Sequence, residues 1–189
     1  MKVGVLSYGL DRPLTGISRY TIEMVRALSN LENGPEIVLL QAGKSTALEG
    51  GSLRRVSLPG CRLLPGLMTL GNFLLPYYAR RLDLDVIHDP TGVVPFLFGA
   101  GRSKIVVTLH DVLPWSFPGT STLIEKIIYR QWLPRTIPKA HAVITASERS
   151  RTDILRFLPV FPGRLHVIHH GISSSFHPLP VSSVKNFLI

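Results

Sequence analysis

His110 and Asp111 stand side by side, directly after an uncharged, β-branched-rich run from Ile105 to Leu109. A histidine of ordinary pKa donates or accepts a proton near neutrality, so His110 can assist proton movement or hydrogen-bond a sugar hydroxyl. Asp111 can orient that imidazole, bind hydroxyls itself, or serve the following loop as a turn residue. Gly16 opens a segment of helical periodicity. Free N–H groups at a helix start suit a phosphate or another anion, and glycine lets a ligand come close. His88, Ser147 and the pair His169-His170 also follow short apolar runs.

Spacing disfavours several other chemistries. Among His88, His110, His169 and His170 no pair has the i,i+4 helical spacing of a metal motif, and there is no cysteine cluster, so no metal is expected. Ser147 lacks the G-x-S-x-G elbow of a hydrolase nucleophile. Gly43-Lys44-Ser45 looks like the end of a P-loop, but Val38 stands where the first glycine should be. The first loop, Gly9 to Gly16, lacks G-x-G-x-x-G, and Gln41 rather than an acid closes the second strand, which argues against NAD.

The elements that must position these residues follow from periodicity. Short apolar runs predict strands at Val3–Ser7, Ile37–Gln41, Leu53–Leu58, Asp85–His88, Ile105–Leu109, Ala142–Thr145 and Leu165–Ile168. The run at Ile105–Leu109 predicts a strand buried on both faces. Ile17, Tyr20, Met24, Ala27, Leu28 and Leu31 recur at helical spacing and predict one apolar helix face, stopped by Asn33-Gly34-Pro35. A helix over Leu67–Leu82 is expected to kink or break at Pro76. Leu123, Ile124, Ile127, Ile128 and Trp132 predict the face of another helix, ended by Pro134. Ser147 is a fitting N-cap for a helix through Leu158. The alternation predicts an α/β fold, an open, mostly parallel sheet with helices on both faces. Right-handed crossovers then gather the strand carboxyl ends, and the polar clusters after them, on one edge, where such folds bind ligands.

Composition sets the outer limits. With 45% hydrophobic residues and a mean hydropathy of +0.24, the 189-residue chain has ample material for a core. A net charge of +9 points to an anionic partner. Lys and Arg are scattered rather than in blocks, so nucleic acid is not expected. A single cysteine, Cys61, fits a reducing cytoplasm. The uncharged stretch Leu63–Ala79 is interrupted by Pro65, Gly66, Gly71 and Pro76 and falls short of the roughly 20 apolar residues a spanning helix needs. It suits a buried or interface helix, or a segment lying on a membrane surface with Arg80 and Arg81 at its end.

Several segments, in order, resemble the N-terminal half of a retaining glycosyltransferase of family 4, an enzyme of the two-domain GT-B fold. Thr15-Gly16-Ile17-Ser18-Arg19-Tyr20 resembles that family's glycine loop and following helix. Asp85-Val86-Ile87-His88-Asp89-Pro90 resembles its D-V-[IV]-H-x-P strand, and Thr108-Leu109-His110-Asp111 its T-[IL]-H-D segment. Ala142 to Ser147 and Val167 to Ile172 resemble its V-I-x-x-S and V-I-x-x-G-[IV] strands. The resemblance implies a Rossmann-like acceptor-side domain over residues 1–172, an interdomain linker starting at 173–189, and a C-terminal donor-binding domain not contained in this chain. It implies sugar transfer from a nucleotide-sugar to a glycan or lipid-linked acceptor. The nucleotide-sugar is a co-substrate, and no cofactor or metal is implied. Gly16 and Ile17 would line the cleft near the donor phosphates and the acceptor. His110 would touch the transferring sugar or the acceptor as the catalytic residue. Asp111, Ser147 and Arg151 would bind on the acceptor side. A cytoplasmic location is expected, peripheral at the membrane where acceptors are lipid-linked.

The chain departs from the pattern in one respect. The family's second domain carries two glutamates seven residues apart, and no E-x7-E stands here in a suitable context. Residues 1–189 alone are therefore expected to fold but not to transfer sugar. The rival reading is a non-catalytic α/β module that binds an anion or a sugar.

Overall fold

The short apolar runs become strands in a computed structural model that describes residues 1–13, 15–45, 48, 53–116, 119 and 122–172. They are β1 (Lys2–Leu6), β2 (Glu36–Gln41), β3 (Arg54–Ser57), β4 (Val86–Asp89), β5 (Lys104–Thr108), β6 (Ala142–Thr145) and β7 (Leu165–Val167). Among the described residues they form one seven-stranded sheet in the order β3-β2-β1-β4-β5-β6-β7. Every pairing is parallel. The chain starts in the centre, steps to one edge through β2 and β3, then crosses back and builds outward from β4. The expected linker at 173–189 lies outside the described residues.

Alternation within each strand divides the core in two, because successive side chains point to opposite faces. Val3, Val5, Ile37 and Leu39 pack under Ile22 and Val25 of α1 (Gly16–Ser29). Leu6, Val38, Leu40, Ile87, Ile105 and Val107 face the other way. There they meet α2 (Leu64–Thr69) and α3 (Gly71–Arg81) through Leu67, Leu75 and Ala79. Past α4 (Leu113–Ser116), that layer continues through α5 (Leu123–Ile127), a π-helical turn (Ile128–Trp132), α6 (Leu133–Thr136) and α7 (Glu148–Phe157). Helices thus cover both faces of a parallel sheet, an α/β architecture of Rossmann type.

Three local expectations need correction. The buried face of α1 is Ser18, Thr21, Ile22 and Val25, while Ile17, Ala27 and Leu31 are exposed. Ser18 and Thr21 tolerate burial because Thr15 and the Ile17 carbonyl hydrogen-bond their hydroxyls, and such small residues let the helix lie close to the sheet. The break in the Leu67–Leu82 helix falls at Leu70, and Pro76 sits inside α3. There the Thr69 hydroxyl donates to the Pro65 carbonyl (2.7 Å) and the Asn72 carboxamide donates to that of Met68, taking up acceptors that the helix leaves at its seam. The helix from Leu123 runs past Pro134, which lies in α6 directly after the π-helical turn. Leu123, Ile124 and Ile127 of α5 are exposed, whereas Ile128 is buried, so they do not share one covered face.

Candidate functional site

The parallel order brings the loops after β1, β4, β5, β6 and β7 to the carboxyl edge of the sheet, and His110 lies among them. Leu109 still bonds to β6, its N–H donating to the Ile144 carbonyl (2.9 Å), so His110 leaves the sheet one residue later. Its Nε2–H donates to the Pro90 carbonyl (3.0 Å). A carbonyl can only accept, so this bond selects the Nε2–H tautomer of the neutral ring and leaves Nδ1 as its acceptor. Its backbone carbonyl accepts from the Ser150 hydroxyl (3.1 Å) in the first turn of α7.

Two further rings complete the cluster. Tyr20 of α1 meets His110 edge-on, with centroids 5.0 Å apart and planes at 86°. His170 lies 5.0 Å from Tyr20 and 5.8 Å from His110. The Tyr20 hydroxyl shares a hydrogen bond with Thr108 Oγ1 (3.2 Å), which in turn bonds His88 Nε2 (2.9 Å). Periodicity places Tyr20 with the apolar residues of its helix, and His88 and His170 carry no assigned role in the sequence. The signal that singles out Tyr20 is its phenol, a polar group on a helix that starts at this edge.

The remaining expected site residues divide by what already holds them. Gly16 is the first residue of α1, capped by Thr15 Oγ1, which accepts from the Ser18 N–H (3.2 Å). Nothing lies within 4 Å of where a Gly16 side chain would begin, so the space beside this N-terminus is open. Ile17 follows, exposed. Asp111 Oδ1 accepts from the Leu113 N–H (3.0 Å) and starts α4, the turn-forming option. Ser147 Oγ accepts from the Ser150 N–H (3.1 Å) as the N-cap of α7 and donates to Ser150 Oγ (3.1 Å), completing the tie to His110. Arg151 pairs loosely with Glu148 (3.8 Å) in the same turn. His110 thus contacts α1 through Tyr20, one turn in from its start, and the N-terminal turn of α7 through Ser150. The starts of both helices offer N–H groups ahead of the capped ones and positive potential, suited to a phosphate or to polarised hydroxyls.

The loop holding the Pro90 carbonyl is organised by Asp89, a fully buried carboxylate that sequence reasoning had not singled out. Its Oδ1 accepts from the Thr91 N–H (2.9 Å) and hydroxyl (2.6 Å), and its Oδ2 from the Val94 N–H (2.7 Å). Burial pushes this carboxyl up, against hydrogen bonds from Thr91, Val94 and Gly92 that favour the ionised form. Burial lowers the His88 imidazole to about 4, helped by repulsion from His110. Burial and then His110 also lower His170. Among the described residues no three His, Cys, Asp or Glu side chains converge as a metal site requires.

The His88 shift has a measurable consequence. An unfolded histidine takes up a proton near pH 6.5, while buried His88 resists until about 4, so the unfolded state gains protons first and acid destabilises the fold across that window. The full effect is about 3 kcal/mol. Asp89, pushed up, contributes a slope of the opposite sign, so the comparison must be with a variant. In urea titrations, His88→Asn is expected to lose less stability than the native chain between about pH 6.5 and 4. Parallel pH curves would refute this assignment.

Comparison with known proteins now bears on the site. Residues 14–176 match the family described as Glycosyltransferase Family 4. No curated protein matches the chain in sequence. Its fold is similar to that of HepE from Anabaena, solved in complex with UDP and glucose, at 18% identity and a TM-score of 0.62. That match covers 99% of this chain and 49% of HepE. It is also similar to the lipopolysaccharide outer core galactosyltransferase WaaB in its apo form, at 10% identity and a TM-score of 0.60, covering 92% of this chain and 46% of WaaB. The chain therefore spans about half the length of either GT-B structure.

Proposed function

The chain belongs to glycosyltransferase family 4, and we propose that it is the acceptor-side domain of a retaining enzyme that moves a hexosyl unit from a nucleotide-sugar to a glycan or lipid-linked acceptor. The observation that carries this reading is the placement of His110. Its ring is fixed by Pro90 and Tyr20 at the carboxyl edge of a parallel sheet, between the starts of two helices. A donor phosphate fits the open N-terminus at Gly16 and Ile17. Nδ1 of His110, with no hydrogen-bond partner among the described residues, meets a sugar or acceptor hydroxyl. Asp111, Ser147 and Arg151 border the acceptor side, Ser147 chiefly by holding the start of α7 in place. HepE's complex with UDP and glucose and WaaB's name as a galactosyltransferase support a hexose on a nucleotide carrier. In this reading residues 1–172 form the domain, 173–189 begin a linker, and a second domain brings most of the donor site. Transfer uses no resident metal or cofactor and takes place on the cytoplasmic side, in polysaccharide assembly. Among the described residues no helix is long and apolar enough to cross a membrane.

The test compares the 189-residue chain with a version extended through the downstream reading frame. Each is given UDP-glucose or UDP-galactose and membrane-extracted acceptors. The extended protein is expected to transfer sugar with the anomeric configuration retained, read by proton NMR of the product. The 189-residue chain is expected to show none. Transfer by the short chain would overturn the two-domain reading. A reading frame without a second α/β pattern would leave the anion- or sugar-binding module in its place.

A further inference from the structure

Two side-chain bonds tie the end of β4 to the end of β5 on the way to His110. His88 Nε2 meets Thr108 Oγ1 (2.9 Å), and two residues further along each path the Pro90 carbonyl accepts from His110 Nε2–H (3.0 Å). Tyr20 reaches both rungs from α1. Its hydroxyl bonds Thr108 Oγ1 (3.2 Å), and its ring meets the His110 ring edge-on with centroids 5.0 Å apart. His170 packs against the same phenol at a tilt of 33°. The anchor of this chain of bonds is buried and uncharged. Thr108 is 1% exposed and His88 6%. His88 stays neutral at ordinary pH, because burial and then His110 lower it to about 4. A hydroxyl has one proton and two lone pairs, so Thr108 serves His88 and Tyr20 at once.

We propose that Tyr20 is the positioning residue of His110, holding the imidazole against the Pro90 carbonyl and in a fixed place relative to the start of α1. A single hydrogen bond leaves an imidazole free to swing about it, and an edge-on ring beside it removes that freedom. A phenylalanine offers the same ring. What the phenol adds is a pin. Tyr20 is only half-buried, so water could serve its hydroxyl. It bonds instead a buried threonine two residues before His110, in the strand that delivers His110 to the edge. Tyr20 also lies four residues after Gly16, so α1 carries both the open N-terminus and the contact to His110. The phenol thereby sets His110 relative to the place where a donor phosphate fits, and a misplacement of about 1 Å can cost about 100-fold in rate. Tyr20 acts through His110 and needs no contact with substrate. This role rests on the transferase reading given above, whereas the hold on the ring is read without turnover.

Ring 15N spectra of the 189-residue chain test that hold directly. Tyr20→Leu removes both the aromatic edge and the hydroxyl, and the Nε2–H preference of His110 is expected to give way to a mixture of tautomers. Tyr20→Phe keeps the ring and loses only the pin on Thr108. Its His110 shifts are expected to move part of the way, and it carries the test if the leucine variant does not fold. In the extended transferase, Tyr20→Leu should lower kcat about tenfold with KM within about twofold, and Tyr20→Phe should lower kcat about threefold. In a His110→Ala background either substitution should cost less than about twofold more, since nothing is left to position. His110 shifts unmoved in every folded variant would overturn the proposal, as would equal losses of kcat in the two backgrounds. An extended protein without transfer activity would refute the transferase reading alone, and the ring shifts would still decide whether Tyr20 holds His110.

Discussion

Replacing His110 by alanine is expected to lower kcat of the proposed two-domain transferase about 100-fold or more while leaving the fold intact. The expectation rests on how the ring is held. Nε2 is committed to the Pro90 carbonyl (3.0 Å) and the ring packs edge-to-face with Tyr20, so the imidazole is held in one orientation. A group fixed in this way contributes most when charge or a proton moves in the transition state, and less to ground-state binding. Loss should therefore fall mainly on kcat, with KM changing by less than about fivefold. Stability should change little, because the ring is only half-buried and the hydrogen bond that ties its residue to α7 comes from the backbone. Asp111→Asn should be much milder, since Oδ1 is occupied by the Leu113 N–H and carboxamide oxygen can replace it there. Steady-state rates with saturating donor decide the matter. A His110→Ala enzyme within about twofold of the native kcat would remove His110 from the catalytic role.

The parts of this molecule legible in sequence are those fixed by local chemistry or by full burial. β5 and β2 read clearly because a parallel strand covered on both faces must be apolar throughout. Ser147 read clearly because a capping hydroxyl is a local device. Once the strands were placed, the common edge followed, and His110 with it. What stayed hidden depends on partners far along the chain. Tyr20 meets Thr108, 88 residues away, and nothing in its own helix marks it as facing a site. His88 lies within β4, one residue before its end, and is buried against Thr108 of the next strand instead of reaching the edge. The face of α1 was misjudged because Ser18 and Thr21 are buried through local hydrogen bonds, which a hydrophobicity pattern cannot register. Leu123, Ile124 and Ile127 erred the other way: periodic and apolar, yet exposed on the turn before the π-helical segment.

Asp89 is the residue whose loss should damage the domain most. Asp89→Ala is expected to cost about 3 kcal/mol, because it strands one buried and two part-buried donors at once. The Thr91 N–H and hydroxyl, both part-buried, and the fully buried Val94 N–H all lose their acceptor. The loop they hold is not otherwise a comfortable one. Gly92 has φ +75° and Val94 φ +53°, and the left-handed region is costly for a β-branched residue. Val94 is fully buried, so its N–H bond to Asp89 Oδ2 and its packing together must outweigh that cost. Asp89→Asn separates shape from hydrogen bonding. It keeps the volume but turns one acceptor oxygen into an NH2 group facing donors, and should cost about 2 kcal/mol. Urea midpoints measure both. The second readout reaches the site: the same loop presents the Pro90 carbonyl that fixes the His110 tautomer. In the Asn variant the Nε2–H preference should weaken, and the 15N shifts of the His110 ring should move towards a mixture of tautomers. A midpoint unchanged within about 0.5 kcal/mol, or an unshifted His110 ring in a destabilised variant, would show that Asp89 does not position the histidine.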